Sequence, residues 1–162
     1  MIDVGGGAST LVDYLLDQNY KGISVLDISG QALKAAKERL GERAENVTWL
    51  EGDVTSIKLP EHFYDLWHDR AVFHFLTDPA DRKKYVQTLH HSLREDGWVI
   101  ISTFSLKGPE RCSGLDVVRY SPETLAAELE SDFHLVKSVE ESHKTPFGTK
   151  QKFVYGVFKR KG

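Results

Sequence analysis

The chain holds a single cysteine, Cys112, among 162 residues, so no internal disulfide can form, and no Cys/His array has the spacing of a zinc site. No apolar stretch approaches the roughly 18 residues that span a bilayer, and no basic segment precedes an apolar core at the N-terminus. These absences make a cytoplasmic protein with no membrane partner the default expectation. Positive charge is not in excess: 21 Lys and Arg against 24 Asp and Glu leave a formal net charge of -3. Nucleic-acid surfaces need clustered positive charge, so no nucleic-acid partner is expected. Low-complexity linkers and internal repeats are also missing, and the length fits one domain covering residues 1–162. What is present, 40% hydrophobic and 28% charged residues, is the composition of a globule with a sizeable core.

The strongest positive signal is the opening segment Met1-Ile2-Asp3-Val4-Gly5-Gly6-Gly7-Ala8-Ser9-Thr10, read together with Asp27. An apolar strand start runs into an acid, a glycine cluster and the beginning of a helix. Twenty residues beyond Gly7, a second apolar run of Ile23, Val25 and Leu26 also ends on an acid. Glycines permit a tight turn and close backbone approach, and an acid at the tip of the next strand accepts from a ribose diol. This is the layout of a nucleoside-binding βαβ unit. A dinucleotide fingerprint places its third glycine where this chain has Thr10, which disfavours a diphosphate and, with it, a nicotinamide oxidoreductase. A nucleoside without phosphate fits better.

Strand patterns recur at Ile2–Val4, Ile23–Leu26, Val47–Leu50, Tyr64–Trp67, Trp98–Thr103, Phe133–Val139 and Phe153–Phe158. Between them, Leu11, Leu15 and Leu16 mark a helix capped by Ser9 or Thr10. Ser29 caps a second, with Leu33, Ala36 and Leu40, that Gly41 stops. A third helix is expected from about Asp81 to Leu93 after Pro79, and Ser121-Pro122 opens a fourth. Seven strands with helices between the first six, finishing in a hairpin, predict an α/β doubly wound, mostly parallel sheet with helices on both faces. Ligands of such sheets lie beyond the carboxyl ends of the strands, at the switch between strands one and four. Asp3, Asp27, Asp53 and Asp69 all fall at that edge. Lys159-Arg160-Lys161 reads as a solvated tail.

Asp-x-Gly-x-Gly followed by a strand-end acid resembles the S-adenosylmethionine site of class I methyltransferases. The resemblance covers nearly the whole chain and is closest to uncharacterised bacterial members. Ile2-Asp3-Val4-Gly5-Gly6-Gly7 is similar to their first motif, which implies that Asp3, Gly5, Gly6 and Gly7 shape the turn beneath the methionine and ribose of the cofactor. Val25-Leu26-Asp27-Ile28 is similar to the second, implying that Asp27 holds the ribose diol and Ile28 packs on adenine. Glu51-Gly52-Asp53-Val54 is similar to the third, where Asp53 would accept from the adenine amino group and the Val54 amide would donate to the ring. Leu66–Ala71 sits where the fourth motif lies, beside the methyl group and the acceptor. That places Asp69 at the cofactor and makes His68, Asp69 and His74 the catalytic candidates, for alignment or for proton removal near neutral pH.

The resemblance further implies the strand order 3-2-1-4-5-7-6 with the last strand antiparallel, and S-adenosyl-L-methionine as cofactor. The implied reaction is direct methyl transfer to a small-molecule nucleophile. A protein lysine methyltransferase and a nucleoside-binding module without turnover are the alternatives. The sequence lacks the helices that usually precede the first motif. An open cofactor site, weak activity and a homo-oligomer formed through the surface they would cover are therefore expected. Absent too are the Asn-Pro-Pro-Tyr, Asp-Pro-Pro-Tyr and Pro-Cys sequences of enzymes that methylate nucleic-acid bases.

Overall fold

The computed structural model describes residues Met1–Gly162. Its strands are β1 (Ile2–Val4), β2 (Ile23–Asp27), β3 (Val47–Glu51), β4 (Tyr64–Arg70), β5 (Leu93–Phe104), β6 (Arg111–Cys112), β7 (Leu115–Asp116), β8 (Phe133–Lys144) and β9 (Lys150–Arg160). The helices are α1 (Leu11–Asp17), α2 (Gly30–Leu40), α3 (Pro79–Ser92) and α4 (Pro122–Glu128). Alternation along the strands sends side chains to two opposite cores. Ile2, Val4 and Leu26 join the larger one, with Tyr85 and Leu89 of α3 and Leu125 of α4. Ile23 and Val25 turn the other way, onto Val12 of α1 and Leu33 and Leu40 of α2. Covered on both faces, all three residues of β1 are buried.

The helix boundaries follow their caps. The Ser29 side chain accepts from the Ala32 N–H, Asp78 from the Ala80 N–H, and Ser121 forms a reciprocal capping box with Thr124. Gly41 ends α2 at a φ of 60°.

The main sheet runs β3-β2-β1-β4-β5-β9-β8, with β9 antiparallel to both β5 and β8 and the remaining pairs parallel. With β6 and β7 set apart as their own two-stranded ladder, this is the expected order 3-2-1-4-5-7-6.

Three local expectations are corrected. No helix joins β3 to β4: Asp53 folds back on Thr55 and Pro60 follows, so the connection stays in turns. Strand β4 continues past Trp67 to Arg70 because its pairing with β5 runs on to Arg70. Arg160 is buried rather than solvated, donating to the carbonyls of His90 and Leu93 at the end of β9.

Candidate functional site

At the end of β1 the backbone turns through Gly5 at a φ of +73°, which favours glycine. The N–H groups of Gly5 and Gly6 both donate to the Leu26 carbonyl, at 2.7 and 3.3 Å, tying the turn to β2. A side chain at Gly5 would strike Val72, and one at Gly6 would strike the Asp3 carboxylate. A Cβ at Gly7 would lie 2.8 Å from Asp27 Oδ2. The glycines therefore serve the protein's own acids, which tuck beneath the turn. Asp27 is held by two backbone donors, Gly7 N–H to Oδ2 at 3.0 Å and Ser29 N–H to Oδ1 at 2.8 Å. Each of its oxygens keeps a lone pair for a ligand.

Two cavities meet over this turn. The first, about 710 Å³, lies beyond the ends of β1, β2 and β4. Asp27, Ile28, Asp53 and Val54 line one side of it, and Arg70, Ala71, Val72 and Phe75–Thr77 also line it, with Leu115 and Asp116 of the β6–β7 hairpin. Asp53 is positioned by the Thr55 N–H and hydroxyl, at 2.8 and 2.7 Å. Ile28, 71% exposed, offers a flat apolar surface. The second cavity, about 400 Å³, shares Val4, Gly5, Arg70 and Ala71 with the first. Asp3, Gly6, Ala8–Thr10, His143, Gln151 and Phe153 complete it. Gly7 lines neither; its part is to hold Asp27.

The structure places Asp69 and His74 in the interior. Asp69 is fully buried and its oxygens accept from the Val72 N–H at 2.8 Å, the Phe73 N–H at 3.1 Å and the Tyr85 hydroxyl at 2.6 Å. Burial pushes its carboxyl up to about 6, while the Tyr85 and backbone hydrogen bonds pull it back down. His74 is buried between Phe75 and Phe104 and accepts the Phe104 N–H at Nδ1, at 3.1 Å. Burial lowers its imidazole to about 4, so the ring is neutral at physiological pH and carries its proton on Nε2. Neither residue lines either cavity; Asp69 secures the turn after β4. His68 also lies outside both cavities, its Nδ1 2.7 Å from Asp3 Oδ1, and so orients that acid. Of the neighbouring aromatic residues, Trp67 and Phe73 are core and Phe75 lines the first cavity.

Sequence reading gave Arg70 no role of its own within Leu66–Ala71 and missed Leu115, Asp116, His143 and Gln151 as lining residues. For Arg70 the signal was its place at a strand end beside Asp69. The others arrive from distant hairpins, with no local signature. Cys112 sits in the β6 strand of one such hairpin but lines neither cavity.

Residues 2–101 match a family described as a methyltransferase domain. An eEF1A lysine and N-terminal methyltransferase of Bos taurus is 32% identical over 98 residues, which is 60% of this chain and 14% of that protein. The chain thus spans a small part of the length of the curated relatives it matches. A SAM-dependent methyltransferase from Methanosarcina mazei superposes with a TM-score of 0.81 at 12% identity, covering 99% of this chain and 91% of that one. The 1,6-didemethyltoxoflavin-N1-methyltransferase of Burkholderia thailandensis, solved with its substrate and S-adenosylhomocysteine, gives 0.73 at 21% identity, over 99% and 70%. At these identities the structural likeness concerns the fold. The family match takes in β1 to β4 and the whole glycine turn, and the chain belongs to the class I S-adenosylmethionine-dependent methyltransferases.

Proposed function

We propose that residues 1–162 form one domain that moves the methyl group of S-adenosylmethionine directly onto a small-molecule nucleophile. The observation that carries this reading is Asp27, fixed by two backbone N–H groups at the rim of a cavity that also holds Asp53. Its free lone pairs suit a ribose diol, Asp53 suits the adenine amino group, and Ile28 and Val54 flank the base. The bound cofactor supplies a methyl group on a positively charged sulfur. The protein's contribution is alignment. His68 acts here as a positioning residue for Asp3. A cytoplasmic setting belongs to the same reading, as does self-association through the face where Trp98 and Val139 remain 41% and 45% exposed. No helix is long and apolar enough to cross a membrane.

In a thermal-shift and calorimetric test, S-adenosylhomocysteine should raise the melting temperature and NADH should not. Asp27→Ala should weaken S-adenosylhomocysteine at least about tenfold, because hydrogen bonds to a charged group are worth about 1.5–3 kcal/mol. A preference for NADH, or equal affinity in the variant, would refute the assignment. One finding favours a second reading, protein lysine methylation: the 32% identity to the Bos taurus enzyme. Transfer to lysine peptides but not to thiols, amines or carboxylates would select it. Cofactor binding with no transfer to any of these would mark a nucleoside-binding module.

A further inference from the structure

We propose that the free edge of β8 pairs with the same edge of a second copy of the chain, antiparallel and about a two-fold axis through Val139. The inference rests on the self-association named above, which it assigns to one edge and one register; it is independent of the cofactor reading. Strand β8 ends the sheet, with β9 as its single neighbour. From Val136 to Ser142 every residue is exposed, so neither a helix nor a loop covers this edge. An edge of this kind presents a row of unpaired backbone groups and is a template for another strand.

Hydrogen bonds inside the sheet fix which residues present theirs outward. The Ser105 N–H donates to the Lys152 carbonyl, so the even-numbered residues of β9 face β5 and the odd-numbered ones face β8. The Thr145 N–H donates to the Thr149 carbonyl, in step with odd-to-odd pairing from Lys137↔Val157 to His143↔Gln151. Ser138, Glu140 and Ser142 therefore turn their backbone groups to solvent. Two copies can meet about a two-fold axis only with even residues opposite even ones. With the axis at Val139, Ser138 exchanges backbone hydrogen bonds with Glu140 of the second copy, and Lys137 stands opposite Glu141 on each side. The odd positions are then the non-hydrogen-bonded pairs, whose side chains approach most closely. Val139, 45% exposed in the single chain, is covered by its own copy. Other axes fit worse. At Lys137, Glu140 or Glu141 a charge meets itself, and at Ser138 both charges go unmatched. An axis at Ser142 matches Glu140 with Lys144, but it meets the turn after Thr145 and leaves Val136–Ser138 without partners. The register shift between Leu135 and Lys137 closes the edge to axes further back.

The test is sedimentation equilibrium on the full chain, with circular dichroism as the check on folding. The wild type should form a dimer whose population rises with concentration. Lys137→Glu, and separately Glu141→Lys, should raise the dissociation constant at least about tenfold, because each change sets like charges opposite each other at two places per dimer. Both side chains are exposed, so the fold should be kept. The double exchange Lys137→Glu with Glu141→Lys rebuilds both pairs with the signs reversed and should return the constant to within about threefold of wild type. A dimer equally tight in the single variants, or a double exchange no tighter than they are, overturns the edge pairing alone and leaves self-association to another surface. A wild type that stays monomeric from micromolar to millimolar concentration overturns the edge pairing and the self-association together.

Discussion

Replacing Tyr85 with phenylalanine deletes one oxygen from the interior and leaves the ring in place. That hydroxyl donates to Asp69 Oδ2 at 2.6 Å and accepts from Trp67 Nε1 at 2.8 Å, and all three side chains are fully buried. The aromatic contacts with Phe73 and Trp67, at centroid distances of 4.8 and 5.6 Å, survive the change. A hydrogen bond to an ionised carboxylate contributes about 1.5–3 kcal/mol, and an orphaned buried N–H costs about 1–3 kcal/mol. The two overlap, so a net loss of about 3 kcal/mol is expected at pH 7.5. For a domain of this size that lowers the melting temperature by about 6–12 °C.

The loss should depend on pH. Because burial raises the Asp69 carboxyl to about 6, it is charged at pH 7.5 and mostly neutral at pH 5. A hydrogen bond to the neutral acid is worth only about 0.5–1.5 kcal/mol. A raised folded-state pKa contributes stability that is present below the unfolded value and lost as pH rises through about 6. Without the Tyr85 hydrogen bond the pKa rises further, so the variant loses more on the alkaline side. Thermal and urea unfolding at pH 5 and 7.5 measure this directly. A shift under about 2 °C at both pH values, or a larger loss at pH 5, would refute the reasoning.

Two further outcomes follow from the same geometry. His74, lowered to about 4 by burial, should show no titration of its ring resonances between pH 5.5 and 8; a midpoint above 6 by NMR would mean that solvent or a charge reaches it. Gly6→Ala drives a methyl into the Asp3 carboxylate, and the Val25 side chain 3.1 Å away blocks a sideways escape. Overpacking of this kind costs about 1–3 kcal/mol, so both stability and S-adenosylhomocysteine affinity should fall; an unchanged melting temperature would contradict the contact.

The parts of the fold that were legible are those where two local signals coincide. Asp27 was visible because an apolar strand, a strand-end acid and the Ser29 cap fall within a few residues. Strand β4 was harder, since His68-Asp69-Arg70 reads as polar and only pairing with β1 and β5 makes it a strand. Period-two alternation then decides which of its residues face what. Trp67 and Asp69 turn together toward Tyr85 of α3, while His68 turns the other way to Asp3. Asp69 thus stands near the end of β4, as its sequence position implied, with its side chain turned into the core. His143 and Gln151 had no legible role because the long β8–β9 hairpin brings them to the site. Proximity of that kind is set by topology, not by neighbours in the chain.

Strand β1 has a consequence for the order of assembly. Its three residues are flanked by β2 and by β4, whose Trp67 pairs with Ile2 from far along the chain. By contrast, β8 and β9 pair with each other from Lys144↔Lys150 outward, a hairpin with a short closing turn. Hairpins form in about 1–10 μs, whereas long-range parallel pairing must first meet the entropy of closing a large loop. The β8–β9 hairpin is therefore the first part of the sheet able to find its partner, while the glycine turn after β1 waits for β4 to dock and bring Val72 against Gly5. Competence for ligand arrives late in folding, so a chain halted early would hold ordered sheet at one edge and bind nothing.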